Sequence, residues 1–234
     1  MDGRGCAWDS DYRRRGDLWG GAPVPLPDLP AGAAVLELGC GNGKTLAALA
    51  QQPWSVIAAD ISPHAIDRAR ASPGSAAARF VVAGAACLPF HGGVFDAVFL
   101  IHIVGHLLEP GRRAMASEVL RVLRPGGKVF FRAFSVEDMR AGKGAEVEPQ
   151  TFCRGNGIIT HYFTETEVME LFTPFEAVSA GTCRREMRVR GRGLPRAEIE
   201  AVFRKAGSSS PAGSRGYTPR QPESPLRPPD RSPG

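Results

Sequence analysis

The chain has 234 residues, 43% hydrophobic and 23% charged, with a formal net charge of +5 at pH 7; this suits one α/β domain with tails and leaves enzyme and binding module equally open. No window approaches the roughly 18 apolar residues that a membrane-spanning helix needs, and the first residues carry Asp2, Arg4, Asp9 and Asp11 in place of an apolar signal core, so a cytoplasmic protein with no membrane partner is expected. The five cysteines, Cys6, Cys40, Cys87, Cys153 and Cys183, are scattered and form no C-x-x-C pair, which argues against a disulfide framework and structural zinc.

Residues 1–30 read as an N-terminal segment ending in a connector, 21–30, kept extended by Pro23, Pro25, Pro27 and Pro30. The domain proper spans 31–205. Residues 34–37 read as a first buried strand, 44–51 as a helix stopped by Pro53, and 56–59 as a second strand. Ser62-Pro63 is an N-cap with proline in the first turn and opens a helix through Arg70. Third and fourth strands follow at 80–83 and 95–101, a helix at 112–123, and a fifth strand at 128–133 after the Pro125-Gly126-Gly127 turn. Strands spaced by helices predict a doubly wound α/β fold, its parallel sheet covered on both faces. Thr164-Glu-Thr-Glu167 is a capping box opening a helix to about Phe172, and 175–183 is strand-like. Residues 197–204 fit a short helix or an alternating strand. Residues 206–234, almost wholly Ser, Pro, Gly and Arg, read as a disordered tail.

Glu37 closes the first strand, and Gly39-x-Gly41-x-Gly43 follows before a helix, an arrangement that lets backbone approach a nucleotide-like ligand. A P-loop needs glycine five residues before Gly43, where Leu38 stands. A dinucleotide fingerprint would put its third glycine on Lys44. Both registers fail. Asp60 ends the second strand, where an acid can accept hydrogen bonds from two ribose hydroxyls or cap the helix at Ser62.

Glu37-x-Gly39-x-Gly41-x-Gly43, Asp60, Cys87-Leu-Pro-Phe90, Phe95-Asp-Ala-Val98 and Leu123-Arg-Pro-Gly-Gly127, in that order, closely resemble the motifs of class I S-adenosylmethionine-dependent methyltransferases of the type 11 kind. The resemblance covers residues 33–133. It implies a Rossmann-like seven-stranded sheet, mostly parallel with an antiparallel last strand for which 197–204 is the candidate. It also implies S-adenosylmethionine as cofactor, with Glu37, Gly39, Cys40, Gly41, Gly43, Asp60 and Ile61 among its contacts. One position departs: relatives usually place an aspartate against the adenine amine where this chain has Gly84. That leaves the backbone of Ala85 and Ala86 to read the adenine edge, at a loss of roughly 1–3 kcal/mol in binding. Trp8-Asp9, Tyr12-Arg13 and Leu18-Trp19-Gly20 more loosely resemble the N-terminal lid of small-molecule methyltransferases, which would bring Tyr12 and Trp19 to the cofactor; the same aromatics would equally serve as anchors for a terminal segment. Gly142-Lys-Gly, Glu148-Pro-x-Thr151 and His161-Tyr-Phe-Thr164 are similar to a region of the tellurite-resistance methyltransferases.

Methyl transfer from a sulfonium needs alignment more than acid-base chemistry. An oxygen or protonated-amine acceptor also needs a base, and His102, His106 and His161 are the candidate catalytic imidazoles, with Glu148 near His161 in sequence. His102 and His106 follow the fourth strand, whose C-terminal end faces the ligand crevice of such sheets, although a histidine there can also be packed or capping. Ile101-His-Ile-Val-Gly105 replaces an Asn/Asp-Pro-Pro-Tyr motif, which disfavours methylation of base exocyclic amines, and the absence of a Pro-Cys nucleophile disfavours 5-methylcytosine chemistry. A small-molecule acceptor is expected. The arginines between Arg184 and Arg196 and the basic tail leave an RNA or protein acceptor, or a non-catalytic binder, as alternatives. Cys153 and Cys183 lack clustered partners, so no metal is expected.

Overall fold

Apolar runs spaced by short helical stretches fold, in a computed structural model describing residues 3–15, 26–189 and 191–207, as α1 (Gly3–Arg15), β1 (Ala34–Leu38), α2 (Leu46–Leu49), β2 (Ser55–Asp60), α3 (Pro63–Ala71), β3 (Arg79–Val82), β4 (Phe95–Ile101), α4 (Glu109–Val122), β5 (Leu123–Phe134), β6 (Ala145–Glu148), β7 (Thr151–Cys153), β8 (Ile159–His161), α5 (Glu165–Leu171), β9 (Glu176–Val189) and β10 (Arg192–Arg204). Trp19, half of the connector and nearly all of the expected tail lie outside the described residues. The main sheet runs β3-β2-β1-β4-β5-β10-β9. Its first five strands are parallel neighbours, and β10 is antiparallel to both β5 and β9. This is the expected seven-stranded sheet.

Alternation along the central strands feeds two cores. Leu36, Leu38, Val98 and Leu100 face one core with Met115 and Val119 of α4, while Val35, Ala97 and Phe99 face the other with Leu46, Leu49 and Ile66. The α4 face is written at helical spacing, with Arg112, Met115, Ala116, Val119 and Val122 buried. After β1 the chain builds outward through β2 and β3, then returns to place β4 on the other side of β1. That reversal opens a crevice beyond the C-terminal ends of β1 and β4.

Several boundaries differ from the sequence expectation. The helix expected at 44–51 shrinks to α2 because Gly43 (φ +85°) and the residues after it stay in the turn of the glycine loop. Helix α4 starts at Glu109, earlier than expected, since the Glu148 carboxylate accepts the Glu109 amide at 3.0 and 3.1 Å and caps its N-terminus. Residues 197–204 are strand, as part of β10, held by ladders on both edges. A second sheet, β6-β7-β8, is antiparallel and was not anticipated. Cys40, Cys87, Cys153 and Cys183 are free thiols, and no helix among the described residues is long and apolar enough to cross a membrane.

Candidate active site

The glycine loop leaves β1 at Glu37 and bends through Gly39 (φ +76°) and Gly41 (φ +54°). A Cβ on Gly39 would stand 2.6 Å from Ile103 Cδ1, and one on Gly41 2.5 Å from the Tyr12 hydroxyl, so both positions need glycine for space as well as backbone. Asp60 ties the loop to the next strand. Its Oδ2 accepts the Gly41 amide and its Oδ1 the Ser62 amide, each at 2.9 Å. Burial raises its pKa despite these bonds. A carboxylate offers about four lone-pair directions, so acceptor capacity remains for a ligand hydroxyl.

These residues line a cavity of about 630 Å³ at the crevice, together with Cys40, Ile61, His102, His106, Trp8 and Tyr12. Glu37 is buried, its Oε2 has no hydrogen-bond partner, and burial followed by the Asp60 charge pushes its pKa up to about 8. A ligand carrying an ammonium or sulfonium charge would satisfy that oxygen.

Helix α1 is docked on α3. Asp9 Oδ1 accepts from the Ser62 hydroxyl (2.7 Å) and lies 2.9 Å from His64 Nδ1, and Arg68 Nε donates to the Tyr12 carbonyl at 3.2 Å. The docking brings Trp8 edge-on to the His106 ring, 4.6 Å between centroids, and places Tyr12 beside Gly41. Trp8 and Tyr12 thus sit on a helix held to α3 and form part of the cavity wall.

The histidines separate. His106 Nδ1 lies 2.7 Å from the Ile159 carbonyl oxygen, which fixes the proton on Nδ1 and leaves Nε2 with the lone pair; burial lowers its pKa. His102 (φ +60°) stacks on Phe134 at 4.3 Å, and burial, then the neighbouring His106 and arginine charges, push its pKa down to about 3. His161 is a correction. It is 2% exposed, with Nδ1 2.7 Å from Thr151 Oγ1 and Nε2 2.7 Å from Glu167 Oε1, whereas its neighbours Thr160 and Tyr162 line the cavity. The strand register turns it away. Glu148, as the α4 cap, is likewise not in the wall.

Three cofactor-loop expectations are also revised. Gly43 does not line the cavity; an added Cβ would meet Ala69 Cα at 3.2 Å, so this glycine serves close packing of α3. Ala85 belongs to the hydrophobic core and Ala86 faces solvent, in a turn closed by the Cys87 amide on the Gly84 carbonyl at 3.2 Å, and neither reaches the cavity wall. Sequence reasoning missed Arg132 and Phe134 of β5, Arg140 after it, Arg154 between β7 and β8, and Glu198 of β10, and placed Arg196 only in a basic cluster. No local motif announces them.

A family model described as a methyltransferase domain matches residues 35–127. The chain is 36% identical over 124 residues to a 2-methyl-6-phytyl-1,4-hydroquinone methyltransferase of Synechocystis sp., covering 52% of this chain and 37% of the relative. It is 34% identical over 113 residues to a tRNA (carboxymethyluridine(34)-5-O)-methyltransferase of Xenopus tropicalis, covering 48% of this chain and 17% of the relative. It thus spans less than half the length of these curated relatives. A crystal structure of a SAM-dependent methyltransferase from Methanosarcina mazei superposes with a TM-score of 0.64 and 27% identity over 76% of this chain and 95% of that one. With the sheet order, the glycine loop and the family match in agreement, residues 35–127 form a methyltransferase domain, and the chain has the fold of class I S-adenosylmethionine-dependent methyltransferases.

Proposed function

We propose that the protein methylates a small molecule. The observation that supports this best is the cavity, whose volume of about 630 Å³ falls in the usual range for small-ligand sites and whose wall includes Trp8 and Tyr12 of the docked helix α1. Bound S-adenosylmethionine supplies a methyl group on a positively charged sulfur, ready for in-line displacement. Glu37 offers a buried, unpaired carboxyl oxygen to the cofactor's positive charge, and Asp60 offers its free lone pairs to the ribose hydroxyls. Gly39 and Gly41 leave the room that close approach needs, and Trp8, Tyr12 and Ile103 keep water from the reacting atoms. His106, neutral and with its Nε2 lone pair free, takes the acceptor's proton where the acceptor has one to lose. His102, stacked on Phe134 with its Nε2 3.7 Å from Glu198 Oε1, forms wall.

A tRNA acceptor has the Xenopus relative and the arginines of β9 in its favour. Yet Arg184 is bound by Glu137 at 2.5 and 2.7 Å and Arg185 reaches Glu198 at 3.3 Å, so these side chains are engaged within the fold.

Isothermal titration with S-adenosylmethionine tests the proposal. The protein should bind, and Asp60→Ala should weaken binding by about 10- to 100-fold, the worth of charge-assisted bonds to the ribose. Absence of binding at about 1 mM, a free energy near −4 kcal/mol, would sink it. Tight, salt-sensitive tRNA binding with no turnover of small molecules would shift the reading to the polymer.

Gly84 offers a gain-of-function check. Its φ is not in the left-handed region, and the heavy atom nearest to an added Cβ is Ile61 Cδ1 at 3.8 Å, so an aspartate enters without strain. Gly84→Asp is expected to tighten cofactor binding about tenfold by restoring a charge-assisted bond to the adenine amine. Unchanged affinity in the same titration would mean that the adenine is not read from this position.

A further inference from the structure

The cavity is two-sided in charge. At the glycine loop lies the unpaired oxygen of Glu37; elsewhere in the wall lie Arg132, Arg140, Arg154, Arg185 and Arg196, with Glu198 among them. Three of these arginines are well buried, their side chains 12%, 17% and 10% exposed for Arg132, Arg140 and Arg196. Arg140 and Arg196 share one carboxylate. Asp138, whose side chain is fully buried, accepts Arg140 Nε at 2.8 Å on Oδ1 and Arg196 Nε at 2.7 Å on Oδ2. Against the cost of its burial, those two bonds hold the Asp138 pKa down. Arg196 Nη2 also lies 3.7 Å from Glu198 Oε1, so Arg196 is compensated, whereas Arg140, among the described residues, has only its share of Asp138. Arg132 spends its Nη2 on Glu200 at 2.6 Å.

What remains is specific. Arg140 Nη2 and Arg132 Nε are buried and have no hydrogen-bond partner. Guanidinium nitrogens can only donate, so each is a buried donor awaiting an acceptor, a state that costs free energy unless a ligand relieves it. The Phe134 ring gathers the group: Arg140 Cζ lies 3.7 Å and Arg196 Cζ 5.4 Å from its centroid, and His102 stacks on it at 4.3 Å. The ring fixes where the guanidinium planes lie.

We infer that the methyl acceptor is a small molecule bearing an anionic oxygen group, a carboxylate or a phosphate, bound by Arg132 and Arg140 with Arg196 behind them. The inference rests on the proposed methyl transfer and names the substrate class for that site. Planar guanidinium groups match both anions, and their burial inside a cavity suits a compact ligand rather than the backbone of a polymer, which meets arginines on open surface.

The test is calorimetric titration of the S-adenosylhomocysteine-saturated protein with benzoate, phenyl phosphate and benzamide. At least one acid should bind about tenfold or more tightly than the neutral amide, and which acid does so separates carboxylate from phosphate. Arg140→Gln and Arg132→Gln should each reduce that preference to about threefold or less while S-adenosylhomocysteine affinity is kept, which also reports that the variant is folded. Equal binding of amide and acids, no binding of either acid at about 10 mM, or a preference that survives both substitutions overturns the inference. Failure of the wild-type protein to bind S-adenosylhomocysteine would strike instead at the proposed methyl transfer.

Discussion

Replacing Glu37 with glutamine is expected to raise the melting temperature of the cofactor-free protein at pH 8 and, in the same sample, to weaken S-adenosylmethionine binding. The two effects have one cause. Glu37 is buried with Oε2 unpartnered, and its carboxyl keeps its proton up to about pH 8 in the folded state against 4.5 for an ordinary glutamate. Between those values the unfolded chain binds fewer protons than the folded one, so folding stability falls as pH rises through this window. Glutamine has no charge to bury and removes the fall. Relief of about 1–3 kcal/mol would shift the midpoint by roughly 3–10 °C in a domain of this size. The gain should be small at pH 4.5 and largest at pH 8. Cofactor binding should move the other way, by about 10- to 100-fold, because a neutral amide gives up the charge-assisted contact to the cofactor's positive group. Thermal melts across pH with titrations at pH 7.5 measure both. A melting point that does not change at pH 8 would show that the carboxyl is not held at a cost, and an unchanged affinity would remove it from the cofactor site.

The reach of the sequence follows the range of the interactions involved. Strands such as β1 and β4 are short apolar runs between turn residues, and Ser62 with Pro63 is a local cap that the structure repeats, with the Ser62 hydroxyl accepting the Ala65 amide at 3.1 Å. The tight, positive-φ backbone at Gly39 and Gly41 was legible for the same reason. Gly43 was legible as a glycine but not as a packing glycine, because Ala69, the atom it must clear, is 26 positions away in sequence. Residues 197–204 were ambiguous because Glu198, Glu200 and Arg204 interrupt the apolar positions, and only the ladders to β5 and β9 define the segment as a strand. Strands β6 to β8 have three or four residues each, too few to show a period. That hid the register of β8 and made His161 look equivalent to its cavity-facing neighbours Thr160 and Tyr162. The arginine cradle was out of reach altogether. Arg140 and Arg196 meet on Asp138 only because β10 inserts beside β5, a long-range consequence of topology.

Gly41→Ala should nearly abolish cofactor binding, and pairing it with Tyr12→Phe should restore stability without restoring binding. The added Cβ would lie 2.5 Å from the Tyr12 hydroxyl but 3.5 Å from its ring carbon Cζ, so the hydroxyl alone is in the way. Its φ of +54° adds a backbone cost of about 1 kcal/mol for any residue with a Cβ. The single variant therefore bears both penalties, about 2 kcal/mol together, and relieves the clash by lifting α1 from its seat near α3. Phenylalanine at position 12 clears the space while its ring still fills the site, so the double variant should recover about 1 kcal/mol relative to the sum of the singles, a coupling well above what distant sites show. Affinity for S-adenosylmethionine should not recover. The methyl group would remain on the loop proposed to hold the cofactor, and a loss of about 100-fold is expected in single and double variants alike. Chemical denaturation and calorimetry on the four proteins of the cycle separate the two terms. Additive stability changes would mean that Tyr12 does not stand over Gly41 in solution, and α1 would then lose its place in the cavity wall; coupled stability with restored binding would instead locate the cofactor away from Gly41, leaving helix and loop a structural contact.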